Sequence, residues 1–304
     1  MTSMGPSGME LLRGVWNIVP TPFADDGSLD EPSLRTLVEF VVNTGVDGMT
    51  VLGVMGEATK VSDAERREVV GTVVEHAAGR LPICVGVSHA ATDQALAFAR
   101  EAGALGAQSV MLAPPTLGRP NEGAVRQHYV AVASAVDLPI VVQDHPSSSG
   151  VWMSSQFLLS LAAESAKCRV IKLEEEPSPP KIRRLLAEAP GLTILGGLGG
   201  MMLIEELRAG AAGTMTGFGY PEILVHIVRL WFAGDTTGAR EVFHRAMPLI
   251  RFENQPVLNL PIRKEIYRRR GAISSARVRA PGATLDAGTL VDLDDLLGSL
   301  DLPI

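Results

Sequence analysis

Lys172 lies in a short apolar run, Val170-Ile171-Lys172-Leu173-Glu174, ahead of a break at Glu175-Glu176-Pro177. A run of this length and character reads as a buried strand rather than a helix. An ammonium taken out of water loses its hydration, which makes lysine costly in such a place. The cost has a chemical use. Desolvation favours the neutral amine, which can attack a ketone to form a Schiff base. The alternative is a lysine that snorkels past the strand end into an ion pair with Glu174 or Glu175. This stretch alone leaves both readings open.

The elements that must position Lys172 follow from the hydrophobic pattern. Apolar, β-branched runs at 15–23, 48–54, 83–87, 109–113, 139–143, 170–173, 192–195 and 213–217 alternate with helical patterns. The helices are expected at 34–43, 63–78, 92–104, 122–135, 155–163, 180–188, 201–209 and 222–232. Ser62 with Glu65 forms a capping box, Ser178 stands before Pro179-Pro180 at a helix start, and Gly45, Gly79, Gly103 and Gly210 sit where C-caps belong. Eight strand–helix units with near-continuous apolar strands point to the α/β class and a closed (β/α)8 TIM barrel. After Gly234 the pattern is helical only, at 237–251, 256–270 and 290–300. The expected organisation is a tail at 1–13, a barrel at 14–233 and a C-terminal three-helix extension of the same domain at 234–304.

Length alone would allow two domains for 304 residues, but barrels of this size are routinely single. With 46% hydrophobic and 20% charged residues the composition is that of a soluble globular chain. The net charge of −7 argues against nucleic acid as a partner. The cluster Arg263, Lys264, Arg268, Arg269 and Arg270 is expected on a solvated or intersubunit helix face. No apolar run approaches the ~20 residues of a membrane span. Met1 to Glu10 lacks the basic start and apolar core of a signal peptide, which points to a cytoplasmic location. Cys84 and Cys168 read as buried free thiols, and no metal-ligand spacing or cofactor motif is present.

Active sites of such barrels lie at the C-terminal ends of the strands. The rule selects Gly53-Val54-Met55-Gly56-Glu57, His89, Gln143-Asp144-His145, Lys172 to Glu174, Gly196 to Gly200 and the end of strand eight beyond Met215. Lys172 therefore falls in the mouth of the barrel. Here the chain resembles the dihydrodipicolinate synthase/N-acetylneuraminate lyase family of Schiff-base-forming aldolases and dehydratases, from about residue 14 to about residue 300. The marks are Pro20-Thr21-Pro22-Phe23, the Gly53-x-x-Gly56-Glu57 turn, the strand-five turn closing at Gly150, Lys172 and the helical tail. The resemblance implies that Lys172 forms an imine with pyruvate or another 2-oxo acid. It also implies that Gly53, Val54 and Met55 hold the acid's carboxylate through backbone N–H groups, and that the chain forms a homo-oligomer, a dimer or tetramer.

Several positions depart from that pattern. The family's proton-relay tyrosine on strand five is matched by Gln143, whose amide hydrogen-bonds but is no general base. Pro115, Thr116 and Leu117 stand where a second tyrosine is often found, and Ser148 where dihydrodipicolinate synthase has its substrate arginine. That enzyme's activity is therefore not expected. Residues i and i+2 share a strand face, so Glu174 follows Lys172 inward and His145 follows Gln143, while Asp144 braces the turn. Glu174 and His145 are the candidate proton carriers; an ion pair and a plain loop histidine are their alternatives. Gly197 and Met215 are candidate pocket residues, with core filling the alternative for Met215. Val54, Met55, Thr116, Leu117 and Ser148 suggest a pocket of low polarity, suited to an apolar or aromatic aldehyde. Three functions are in play: a lyase of a 2-oxo acid without cofactor or metal, a non-catalytic or regulatory 2-oxo-acid-binding barrel, and a lyase using a metal held by Glu174 to Glu176. The remaining histidines, His76, His128, His226 and His244, are expected at the surface or an interface.

Overall fold

The computed structural model describes residues 12–116, 118 and 121–300; the readings made for residues 1–11 and for Leu117 fall outside them. The apolar runs form eight parallel strands: β1 (Gly14–Ile18), β2 (Gly48–Val51), β3 (Ile83–Gly86), β4 (Ser109–Leu112), β5 (Ile140–Asp144), β6 (Val170–Leu173), β7 (Thr193–Gly196) and β8 (Gly213–Thr216). They close in chain order, with Trp16 of β1 paired to Met215 of β8. The helices that follow them in turn are Glu31–Asn43, Asp63–Ala77, Thr92–Ala104, Glu122–Ala135, Ser155–Glu164, Ser178–Glu188, Leu203–Arg208 and Pro221–Phe232. Three more, Thr236–Glu253, Asn259–Arg269 and Ala287–Ser299, make the extension. The chain is a (β/α)8 TIM barrel with a helical tail.

Each strand is buried on both faces, which is why the runs lack polar alternation. Inward side chains such as Trp16, Cys84, Met111, Val141, Val170 and Leu195 fill the barrel axis, and outward ones join the larger shell under the helices. Leu12 is also buried in the axial cluster, so part of the expected tail plugs the barrel.

Local signals mostly act where expected. Ser62 and Glu65 form the capping box, and Gly45, Gly79 and Gly210 follow helix ends with positive φ. Gly103 does not; it lies inside its helix, and Gly106 takes the left-handed position beyond the end. Ser178 is the first helical residue and caps nothing, because its hydroxyl donates to Glu206 Oε1 at 2.6 Å. His128 is buried, not superficial, and its Nδ1 lies 3.0 Å from Thr92 Oγ1. Both cysteines are buried free thiols; burial pushes Cys84 up to about 12 and Cys168 to about 11. Among the described residues no helix is long and apolar enough to cross a membrane.

Candidate active site

Lys172 and Glu174 leave β6 on the inward face, as the two-residue period of a strand requires. Their side chains are 3% and 7% exposed, and Lys172 Nζ donates to Glu174 Oε2 at 2.5 Å. On the neighbouring strand Gln143, paired in register with Lys172, donates through Nε2 to the same oxygen at 3.0 Å. The Leu198 N–H reaches the other oxygen at 3.4 Å. Burial pushes the Glu174 carboxyl up. Lys172 and His145, with the hydrogen bonds from Lys172 and Gln143, more than offset this and hold it below the usual carboxylate range. The resting site is therefore an ion pair with an anionic Glu174.

His145 follows β5 and borders the same cavity. Burial pushes its ring down, Glu174 pulls it back and Lys172 adds to the lowering, so it is neutral at pH 7. Its Nδ1 is buried and unpartnered among the described residues. Asp144 points away, and its Oδ2 accepts from Lys181 at 2.6 Å. Lys181 also binds Glu175 at 2.6 Å. This separates the acidic run: Glu174 serves Lys172 and Glu175 serves Lys181, so the two do not converge on one ion.

The loop after β2 folds back sharply. Leu52 and Glu57 both have left-handed backbones (φ 56° and 54°), which is strain concentrated at one turn. Gly86 admits it: a Cβ there would lie 2.0 Å from the Leu52 carbonyl oxygen. Within the turn, the Gly53 carbonyl accepts from Gly56 at 3.0 Å and Ala58 at 3.4 Å, and the Val54 carbonyl accepts from Glu57 at 3.1 Å. The N–H groups of Val54 and Met55 bond to no other described residue, and both residues border the cavity.

Glu57 anchors the turn to the tail. Lys264 donates to Oε1 at 2.6 Å, while Lys60 and the Arg279 N–H reach Oε2, each at 3.0 Å. Burial pushes Lys264 down to about 8 against the pull of Glu57. The basic cluster is thus not a solvated face throughout, since Arg263 and Lys264 are buried. Arg263, expected with that cluster on a helix face, is instead a residue of the site. Its Nε donates to Glu253 Oε2 at 3.3 Å, its Nη2 to Asn254 Oδ1 at 3.3 Å, and it borders the cavity with Lys172.

That inner cavity has a volume of about 90 Å³. Outside it, sharing Val54 and Gln143, a wider cavity of about 500 Å³ runs past His89 and Thr116. Arg263, Asn254 and Asn259 add polar groups to the walls of the inner space, while Val54, Thr116 and Ser148, from which low polarity was expected, line the wider and mainly apolar cavity. Gly197 touches Glu174 rather than open space: a Cβ there would lie 2.5 Å from Glu174 Cγ. Met215 lies in the axial core and does not line the cavity, so its part is packing. The residue two further along that faces the cavity is Gly217. None of the chain's three tyrosines lines either cavity.

The model of the dihydrodipicolinate synthetase family matches residues 11–299, and the chain belongs to that family. The L-2-keto-3-deoxyarabonate dehydratase of Azospirillum brasilense is 35% identical over 295 residues, covering 95% of this chain and 94% of that protein. The 4-hydroxy-tetrahydrodipicolinate synthase of Acidobacterium capsulatum is 30% identical, covering 96% of each. The crystal structure of the dihydrodipicolinate synthase of Rhodopseudomonas palustris superposes with a TM-score of 0.90 at 34% identity, covering 97% of this chain and 99% of that one.

Proposed function

We propose that this chain is a lyase that binds a 2-oxo-3-deoxy sugar acid as an imine of Lys172 and eliminates water from it. The observation that carries the reading is the buried cluster of Lys172, Glu174 and Gln143 inside a polar cavity. Lys172 passes a proton to Glu174, the neutral amine attacks C2, and Glu174 returns that proton to the departing water, giving a cationic imine that acidifies C3. Glu174 Oε2 stands 2.5 Å from Nζ, so a carbon two bonds from that nitrogen is within its reach. Glu174 takes the C3 proton, the electrons pass into the imine, and the C4 hydroxyl leaves as water with the proton that Glu174 gives back. Hydrolysis then returns Lys172. Gln143 orients the carboxylate and does not itself move a proton. The N–H groups of Val54 and Met55, which bond to no other described residue, hold the C1 carboxylate in this reading.

The Azospirillum dehydratase supports elimination over C–C cleavage. An aldolase would use the same imine and release pyruvate, which separates the two in one assay. The lack of a tyrosine on the cavity walls favours, as a second reading, a barrel that binds the acid without turnover. We further propose an oligomer, a dimer or tetramer, checked by light scattering. The decisive experiment is borohydride reduction with pyruvate and with 2-oxo-3-deoxypentonates, followed by intact mass. A gain in wild type that is absent from Lys172→Ala supports the imine. No gain with any 2-oxo acid rules it out. Imine formation with no loss of substrate would leave the binding protein, and activity surviving a chelator would remove the metal alternative.

A further inference from the structure

Arg263 carries more hydrogen-bonding capacity than its protein partners use. A guanidinium has five N–H donors and no acceptor. Nε is bound to Glu253 and Nη2 to Asn254 Oδ1, while Nη1 meets no acceptor among the described residues. The side chain is only 5% exposed, and the space it borders is the cavity of Lys172. A buried cation with idle donors is expensive unless something anionic completes it. Glu253 supplies part of the balance, but it also accepts the Gly219 N–H on both oxygens, at 3.2 and 3.0 Å. Burial pushes Glu253 up to about 7, with Arg263 opposing, so its charge is itself under strain.

The direction of the idle donor is fixed by Gly217. A Cβ at that position would lie 3.1 Å from the Ile18 carbonyl oxygen, 3.3 Å from Arg263 Nη1 and 3.4 Å from Met55 Cγ. Arg263 Nη1 and the Met55 side chain therefore meet at one small space, and the missing Gly217 side chain leaves it open. Residues 54 and 55 contribute apolar side chains, so their own donors to that space are backbone only. An anion seated there would meet a guanidinium edge, which suits a planar carboxylate, and Val54 and Met55, whose N–H groups bond to no other described residue, border the same cavity.

We propose that Arg263 binds the C1 carboxylate of the 2-oxo acid, opposite the Val54–Met55 amides, and so selects 2-oxo acids over neutral ketones. The assignment rests on the reading of Lys172 given above, and its test keeps the two apart. The probes are pyruvate and its neutral methyl ester, measured both by calorimetric affinity and by borohydride adduct on Lys172. The variant is Arg263→Met with Glu253→Gln, which removes both charges of the buried pair together and leaves neither stranded. Thermal melting confirms that it is folded.

Wild type is expected to favour pyruvate over methyl pyruvate by roughly 10- to 100-fold, the worth of a charge-assisted hydrogen bond. In the double variant the preference should fall to within about threefold of unity, while methyl pyruvate binds as before. A purely structural role would weaken both probes alike and leave their ratio unchanged. An unchanged ratio in a folded variant overturns the proposal, even if both adducts form on Lys172 and the imine reading stands. Preferential pyruvate binding in wild type that vanishes in the variant, with no adduct in either, would retain Arg263 and remove the imine. Failure of wild type to bind either probe overturns both.

Discussion

Replacing Glu174 by glutamine keeps the side chain's shape and removes its charge, which makes it the sharpest probe of proton transfer. The carboxylate oxygen at issue lies 2.5 Å from Lys172 Nζ and 3.0 Å from Gln143 Nε2. Held below the usual carboxylate range, it is ionised and ready as a base throughout the neutral region. A positioned general base contributes about 10²- to 10⁴-fold. The assay is exchange of the pyruvate methyl protons in D₂O, followed by NMR, which needs no knowledge of the natural substrate. Glu174→Gln should slow exchange by that factor while borohydride adduct on Lys172 stays within about tenfold of wild type. Stability is measured alongside, because a buried charge deprived of its partner can cost about 3–5 kcal/mol. Exchange at the wild-type rate in Glu174→Gln would refute the reasoning and transfer the role to His145. His145→Gln, whose ring is neutral at pH 7, should lower exchange by less than about tenfold.

Other tests address the supports of the site and the pH dependence of the fold. Gly197→Ala places a Cβ 2.5 Å from Glu174 Cγ and 2.6 Å from Oε1, so exchange should drop at least about tenfold, with about 1–3 kcal/mol of overpacking cost in denaturant melts. Glu65 is held down to about 2 by its hydrogen bonds from Arg279, against burial and with help from the Ser62 backbone and hydroxyl. Its folded value is depressed, so its contribution is present above about 4.5 and is lost as pH falls toward 2. At 23% exposure solvent screens the pair, and Glu65→Gln should cost about 1 kcal/mol at pH 7 and little at pH 2. Glu206 is the opposite case: burial pushes it up to about 7, despite the Ser178 hydrogen bond and with the charges of Glu174 and Glu205 adding to the rise. Its folded value is raised, so stability is full below about 4.5, falls as pH rises through 7 and then levels. Glu206→Gln should flatten that slope, which amounts to at most about 3 kcal/mol.

The barrel was legible because its strands are apolar on both faces and its helices periodic, and these signals are local. The strand ends were less so. The run through Gly48 to Val54 reads as one strand, yet it stops at Val51 because Leu52 turns left-handed to build the loop. The inward set Lys172, Glu174, Gln143 and His145 followed from the strand period alone. Arg263 was hidden for a physical reason. Five basic residues between 263 and 270 look alike in sequence, and only Arg263 and Lys264 are fully buried, through Glu253 and the distant Glu57. Nothing local records a partner 207 residues away. The polar groups of the inner cavity were hidden for the same cause, since Asn254, Asn259 and Arg263 come from the tail.

That origin changes what the tail is for. Three of its side chains, Asn254, Asn259 and Arg263, border the cavity, and a fourth, Lys264, clamps the turn of free amides through Glu57. Lys264 also donates to the Arg277 carbonyl at 2.6 Å, and Arg279 returns its own N–H to Glu57. The strained turn at Leu52 and Glu57 is therefore held from the tail side as well as from β3. Backbone strain of this kind persists only where the surroundings over-determine it. The barrel supplies the lysine and its carboxylate, while the tail supplies the remaining cation and the clamp on the turn. A change in this segment should therefore alter substrate affinity through the turn and Arg263 before it alters the Lys172–Glu174 pair, which barrel strands hold by themselves.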